Sequence, residues 1–414
     1  MEGLKPNNAK FCLVYTLSTP WENYHREQFI KCIADQIKLH NGYILCVEPT
    51  VLSLFNFVKY PERIVKWIKG RYKFRNVYEN IYAVSAFTLE HILLSVRFGI
   101  LDLINRKLLN KQIWKLVKKI DKDIRKLILV LHRPEMKFLM GHINESGAVF
   151  DCCDDYTLTS NMSTLKVIGN RKREKELSEK CSFVIASSLK LLRRNKEYNQ
   201  NTYLIENGYN FEKFTTASDF NVDFVKKIKR PIAGYIGNVR DWIDFELLEY
   251  LFEKHHDVSF VFFGAVNKNS KRTFNKLLSK FDNVFTTGRI PYSSYQYYFN
   301  YIDVGIIPFQ VNEFMESVNP NKFYELMGAG IPVVATRMGD LNEMYFEIAK
   351  VGRTKEEFSK HLEKIVKMSP SEQRMLKSII LKIAENHTWK QKASYFLELL
   401  NQHILDKPIF SVNT

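Results

Sequence analysis

The chain has 414 residues, 45% apolar and 26% charged, an ordinary globular composition that excludes a disordered chain and is too long for one hydrophobic core, so two domains of roughly 200 residues each are expected. No window of about 18 consecutive apolar residues occurs, and the start MEGLKPNNAK lacks the apolar run of a secretory signal, so the expected location is the cytoplasm. The net charge of +16 is concentrated: residues 1–205 hold 34 Lys/Arg against 20 Asp/Glu, a net of +14, and the remainder a net of only +2.

In chain order, the first half reads as strands over residues 9–17, 42–49, 81–87, 126–132, 148–153, 182–187 and 202–206, with helical periodicity between them, as over Arg26 to His40 and Arg106 to Arg125. Two stretches, Lys59 to Arg75 and Arg106 to Lys126, interleave cationic residues with apolar ones such as Trp67, Ile113, Trp114 and Val117. That pattern suits an anionic bilayer surface, or, for the second stretch equally, a solvated helix whose apolar stripe packs on its own core. Residues 207–230 carry no long apolar run and form the expected linker. The second half gives strands over 231–237, 258–264, 283–288, 304–309 and 331–336, each followed by a helix-length segment, and a purely helical end from Pro370 to Leu405. Strands alternating with helices throughout imply two doubly wound parallel sheets, with ligands in the cleft at the carboxyl ends of their strands.

The six cysteines, at 12, 32, 46, 152, 153 and 181, show neither CxxC nor zinc-type spacing and are expected to be reduced core residues. Asp121-Lys-Asp123 lies in a Lys-rich helical run rather than at a strand end, so no metal site is expected there.

The sharpest motif is the run from Ser317 through Asn319, Pro320, Lys322, Glu325 and Gly330 to Pro332-Val-Val. Asn319 suits an N-cap, Pro320 a first helical position and Gly330 a helix exit. The free N–H groups of such a helix, with Lys322 in its first turn, would hold a diphosphate, and Glu325 on the same face would accept from ribose hydroxyls. The alternative is an ordinary Lys/Glu surface pair. Gly234 to Gly237, after a strand and before a helix, lets the backbone approach a phosphate, with Arg240 as an added charge or a plain surface arginine. In the first half, Asp151, Asp154 and Asp155 end a strand and can supply a general base, or cap a loop. Trp21, His25 and Arg26 follow the first strand, where they meet acceptor or donor or are simply packed.

The run S-x-x-P-x-K-x-x-E-x-x-x-x-G-x-P-V-V resembles the donor-nucleotide signature of the GT-B glycosyltransferases that build bacterial capsule, teichuronic acid and exopolysaccharide. Gly234 to Trp242 resembles the first strand and loop of the family's donor domain, placing Gly237, Asn238 and Arg240 in the donor site. Thr287 to Tyr292 resembles its base-binding turn, placing Arg289 and Ile290 there, and Glu206 to Asn210 resembles its interdomain step. Where many retaining members carry a first glutamate eight positions before the second, this chain has Ser317, which brings it closer to the subgroup with Ser and Lys in this loop. The resemblance covers residues 150–400 well and the first 150 in outline.

It implies an acceptor-binding domain over residues 1–207, a donor-binding domain over 208–385, and a last helix over 386–414 crossing back to the first. It also favours Asp155, then Asp154, as the catalytic base, with His25 of the first loop as the further catalytic candidate. The expected activity is metal-independent transfer of a hexosyl unit, without a cofactor, from a nucleoside diphosphate sugar, UDP-linked, to a lipid-linked or polysaccharide acceptor at the inner face of the cytoplasmic membrane. A nucleotide-sugar 2-epimerase would share the two sheets without needing an acceptor. A basic nucleic-acid-binding protein would share the charge, although no nucleic-acid motif is present.

Overall fold

The run FCLVYT shows no polar alternation, and it forms a fully buried strand, β1 (Phe11–Thr16), as a parallel sheet covered on both faces requires. The computed structural model describes residues 10–53, 74–88, 99–158, 164–210, 223–290 and 295–405. It divides into one unit of residues 1–206 and 390–414 and a second of residues 207–389.

In the first unit, β1 is joined by β2 (Gly42–Ser53), β3 (Arg75–Tyr78), β4 (Ile81–Thr88), β5 (Lys126–Leu131), β6 (Gly147–Cys152), β7 (Phe183–Ala186) and β8 (Thr202–Leu204). The sheet order is β3-β4-β2-β1-β5-β6-β7-β8. β3 pairs antiparallel with β4 and was not expected: its four half-exposed residues carry no apolar run. The order reverses between β1 and β5, a switch point outside which ligands of such sheets bind. The registers Tyr15↔Val130 and Leu131↔Phe150 bring the chain leaving β1, β5 and β6 to one edge.

Helices α1 (Glu27–Lys38), α2 (Gly99–Ile120), α3 (Thr164–Lys180) and α4 (Leu189–Lys196) follow strands of this unit. Leu109, Ile113 and Val117 of α2 are buried in the unit's own core, and the Trp114 indole donates to the Ile143 carbonyl at 2.9 Å. The apolar stripe of the second basic stretch is therefore consumed inside the protein, which selects the second of its two readings, a helix packed on its own core. The first basic stretch lies, apart from its last two residues, outside the described residues. Among the described residues, no helix is long and apolar enough to cross a membrane.

The second unit holds β9 (Ile232–Ile236), β10 (Ser259–Phe263), β11 (Val284–Gly288), β12 (Val304–Ile307), β13 (Val333–Thr336) and β14 (Ala349–Gly352), in the order β11-β10-β9-β12-β13-β14. All described pairings are parallel. β14 escaped the sequence reading because AKVG is short and half exposed. α5 (Asp223–Lys226) precedes the first of these strands, α6 (Phe245–Lys254), α7 (Lys268–Lys280), α8 (Asn321–Gly328) and α9 (Gly339–Met344) run between strands, and α10 (Lys355–Val366) and α11 (Pro370–Ala384) follow the last. Phe252, Phe260, Phe262 and Phe274 anchor this core, with ring centroids 4.8 Å apart in the 252–260 and 262–274 pairs. Each such contact contributes about 0.5–1.5 kcal/mol beyond burial.

The final segment is not one helix. It breaks between α11 and α12 (Trp389–His403), where Thr388 bridges to Tyr209 and the Trp389 N–H donates to the Tyr209 carbonyl at 2.9 Å. From Lys390 onward α12 belongs to the first unit, where the Phe396 ring lies 5.7 Å from Phe29 and 6.2 Å from Phe183.

Candidate functional site

In the second unit the sheet order reverses between β9 and β12, and the loops leaving these strands carry the chemistry. Gly264, after β10, would place a Cβ 2.3 Å from the Gly237 carbonyl oxygen, so the two strand ends meet only because no side chain is there. Gly237, at φ +119, donates its N–H to the Phe263 carbonyl at 3.0 Å. This turn lies beside Lys322 of α8: a Cβ at Gly237 would stand 3.6 Å from Lys322 Cε. The Lys322 ammonium sits 4.6 Å from the Phe309 ring centroid and 5.2 Å from that of Tyr235. No carboxylate among the described residues pairs with it within 4 Å. Burial pushes its pKa down to about 8, with Glu325 pulling weakly the other way. A cation held by ring faces in the first turn of a helix is an anion-binding arrangement.

Glu325, one turn on, accepts from the Tyr295 hydroxyl at 2.7 Å, which fixes one of its oxygens. Two expected ligands are structural instead. Ser317 is fully buried and its hydroxyl donates to the Phe314 carbonyl at 2.7 Å, closing a short 3-10 turn. Asn319 does not cap α8, whose cap position is Pro320. Its Oδ1 accepts from the Asn207 N–H at 3.0 Å and its amide donates to the Tyr324 hydroxyl at 2.9 Å, bracing the start of α8 on the segment after Glu206. Gly330 leaves the helix with φ +73, as its position in the motif requires. Asn238 is exposed at the end of β9. The Arg240 guanidinium lies 5.0 Å over the Trp242 ring. Arg289 is exposed after β11, and Ile290 packs on the core.

In the first unit, Asp151 at the end of β6 is fully buried, accepting from Arg26 Nη1 at 2.5 Å and from the Tyr15 hydroxyl. Burial alone would raise its pKa, but the Arg26 charge and His132 hold it down to about 2. Arg26 is thus an internal counter-ion rather than a substrate ligand, and Trp21 is buried rather than open for sugar stacking.

Asp155, the first choice for a base, is also buried: Arg194 donates to it at 2.6 Å and the Thr157 N–H at 3.0 Å, and despite burial this pairing lowers its pKa. It is a structural anchor, which corrects the catalytic expectation. Asp154 differs: its side chain is 39% exposed, its Oδ2 lies 4.0 Å from His25 Nε2, and partial loss of hydration raises its pKa. The His25 side chain, beside it, is 35% exposed. Asp121, of the Asp-x-Asp triplet, is taken by Lys10 at 2.7 Å.

Sequence reasoning missed Tyr235, Phe309 and Tyr295 around the donor motif, and His132 and Cys153 beside Asp154. Phe309 and His132 ended expected strands, which was the available signal; Tyr295 gave none.

Residues 230–367 match the model of the family described as glycosyl transferases group 1. A Bacillus subtilis (strain 168) protein assigned to teichuronic acid biosynthesis as a glycosyltransferase, TuaH, is 27% identical over 148 residues, covering 35% of this chain and 36% of that protein. The crystal structure of Anabaena HepE in complex with UDP and glucose superposes with a TM-score of 0.65 at 12% identity, over 94% of this chain and 99% of that one. The α,α-trehalose-phosphate synthase (UDP-forming) of Burkholderia vietnamiensis gives 0.68 at 11% identity, over 96% and 99%. The chain thus has the GT-B fold along nearly its whole length, and its second unit carries the match to the glycosyl transferases group 1 model.

Proposed function

We propose that this chain is a glycosyltransferase that moves a hexosyl unit from a UDP-sugar to a hydroxyl of a lipid-linked or polysaccharide acceptor in surface polysaccharide biosynthesis. The observation that carries the reading is the Lys322 ammonium in the first turn of α8, beside the Gly237 turn, with no carboxylate paired to it among the described residues. In this reading the donor diphosphate lies against Lys322 and the α8 N-terminus, which stabilise the departing UDP without a divalent ion. Glu325 takes the ribose hydroxyls, and the base rests on the turn after β11 with Arg289 and Ile290. The UDP and glucose of the HepE complex and the pathway of TuaH support this choice of donor and acceptor class.

The first unit receives the acceptor, where His25 and Asp154 meet its hydroxyl. Its excess of Lys and Arg holds the enzyme, peripherally, at the anionic inner face of the cytoplasmic membrane. The test is transfer of radiolabelled sugar from UDP-glucose, UDP-galactose and UDP-N-acetylglucosamine to a lipid extract containing polyprenyl-linked saccharides. The reading predicts label in the lipid phase from one donor and its loss in Lys322→Ala; label in none, with UDP still bound, removes the acceptor assignment.

A further inference from the structure

His25 Nε2, Cys153 Sγ and Asp154 Oδ2 come together at the carboxyl edge of the first sheet although His25 is 128 positions from Cys153. The sulfur lies 3.6 Å from the His25 nitrogen and 3.9 Å from the Asp154 oxygen, and that oxygen 4.0 Å from the nitrogen. A tetrahedral ion with bonds of about 2.0 Å to nitrogen and oxygen and about 2.3 Å to sulfur sets ligand-to-ligand edges of about 3.3–3.6 Å. Small side-chain rotations bring the three atoms to that spacing. We propose that His25, Cys153 and Asp154 form a binding site for a zinc-type divalent metal, with the fourth coordination position open.

The donor set is the mixed sulfur, imidazole and carboxylate kind that suits zinc rather than magnesium or calcium. The outer partners such a site needs are also in place. His132 Nε2 is 3.2 Å from the sulfur, and its Nδ1 lies 3.1 Å from the Tyr24 hydroxyl and 3.7 Å from Asp151 Oδ2. Asp151 is in turn fixed by Arg26. Access comes from the other side: the Cys153 thiol is buried, but the His25 and Asp154 side chains are 35% and 39% exposed, so an ion enters between them and keeps a face toward solvent. On binding, the Cys153 S–H bond breaks, its proton leaves to solvent and a sulfur–metal bond forms. Resting on the reading of the first unit as the acceptor domain, an ion held there occupies His25 and Asp154 and withdraws them from the acceptor hydroxyl.

The experiment is titration of the full chain with cobalt(II) alone, under thiol-free reducing conditions, followed by absorption. One equivalent is expected to give a near-ultraviolet sulfur-to-cobalt charge-transfer band and the visible bands of a tetrahedral ion, both bleached by zinc. Cys153→Ser should remove the charge-transfer band, and His25→Gln should weaken cobalt binding about 10–100-fold or more. No charge-transfer band in the wild type, or the same band in Cys153→Ser, overturns the proposal. Should Cys153→Ser not fold, the half-exposed His25→Gln decides: unchanged cobalt affinity there overturns it equally. UDP calorimetry on the same preparations reads the second unit independently. Cobalt bound without UDP sinks the donor reading alone, and UDP bound without cobalt sinks the metal site alone.

Discussion

The Lys322 ammonium lies 4.6 Å from the centroid of the Phe309 ring, the residue that follows β12 and Pro308. The ring partly replaces the water the ammonium has lost and leaves its charge available to an anion. Replacing Lys322 with Ala should therefore cost at least about tenfold in UDP affinity, roughly 1.4 kcal/mol, by titration calorimetry. An unchanged affinity would move the diphosphate elsewhere.

The lowered pKa of Lys322, about 8, gives this binding a pH signature. Below that value the free protein presents an ammonium, and UDP affinity should be flat. Above it, binding must take up a proton, so affinity should fall by up to about one log unit per pH unit. The sign for folding is opposite. The folded pKa is below the unfolded value, so the charged form is disfavoured in the fold, and this group's contribution to stability rises as pH goes from about 8 to about 10.4. Lys322→Arg, charged throughout, should bind UDP without the fall.

Tyr295 donates to one oxygen of Glu325 at 2.7 Å and so orients the carboxylate. If Glu325 takes ribose hydroxyls, Glu325→Ala should lose UDP binding while inorganic pyrophosphate binds as before. Equal losses for the two ligands would assign Glu325 to the phosphates or to the fold. Tyr295→Phe should show a milder form of the same split.

The close meeting of the β9 and β10 ends is testable by adding one methyl group. In Gly264→Ala the new carbon would fall 2.3 Å from the Gly237 carbonyl oxygen, so the Gly237 turn must shift. We expect a loss of about 1–3 kcal/mol of stability together with weaker UDP binding. A variant with lower stability and full UDP affinity would separate the turn from the donor site.

Asp155 and Asp154 are neighbours with opposite surroundings. Asp155→Asn weakens a buried, charge-assisted contact with Arg194, which keeps Glu174 at 2.7 Å. It should lower the thermal midpoint, at about 2–3 kcal/mol, with turnover per folded molecule little changed. Asp154→Asn should do the reverse. A full loss of turnover in well-folded Asp155→Asn would restore it as the base.

Much of the fold was legible because parallel strands buried on both faces write themselves as uninterrupted apolar runs, such as FCLVYT and the VSFVFFG containing β10. The strands that escaped, β3 and β14, are four residues long and half exposed, so no such run marks them. The α8 motif was readable since a helix start, its first-turn lysine and its glutamate are local in the chain. The identity of its neighbours was less so: Asn319 looked like a cap, but Asn207, 112 positions away, claims its side chain. The pairing of Asp155 with Arg194 and the meeting of His25 with Cys153 are likewise tertiary, set by the β1-β5-β6 order rather than by spacing.

The most direct measurement is calorimetric binding of UDP, in the presence of a chelator, to the wild type and to Lys322→Ala. The account predicts micromolar binding to the wild type without added metal and its collapse in the variant. A folded wild type that binds no UDP, or a variant that binds it equally well, would contradict a donor site built on Lys322 and the start of α8.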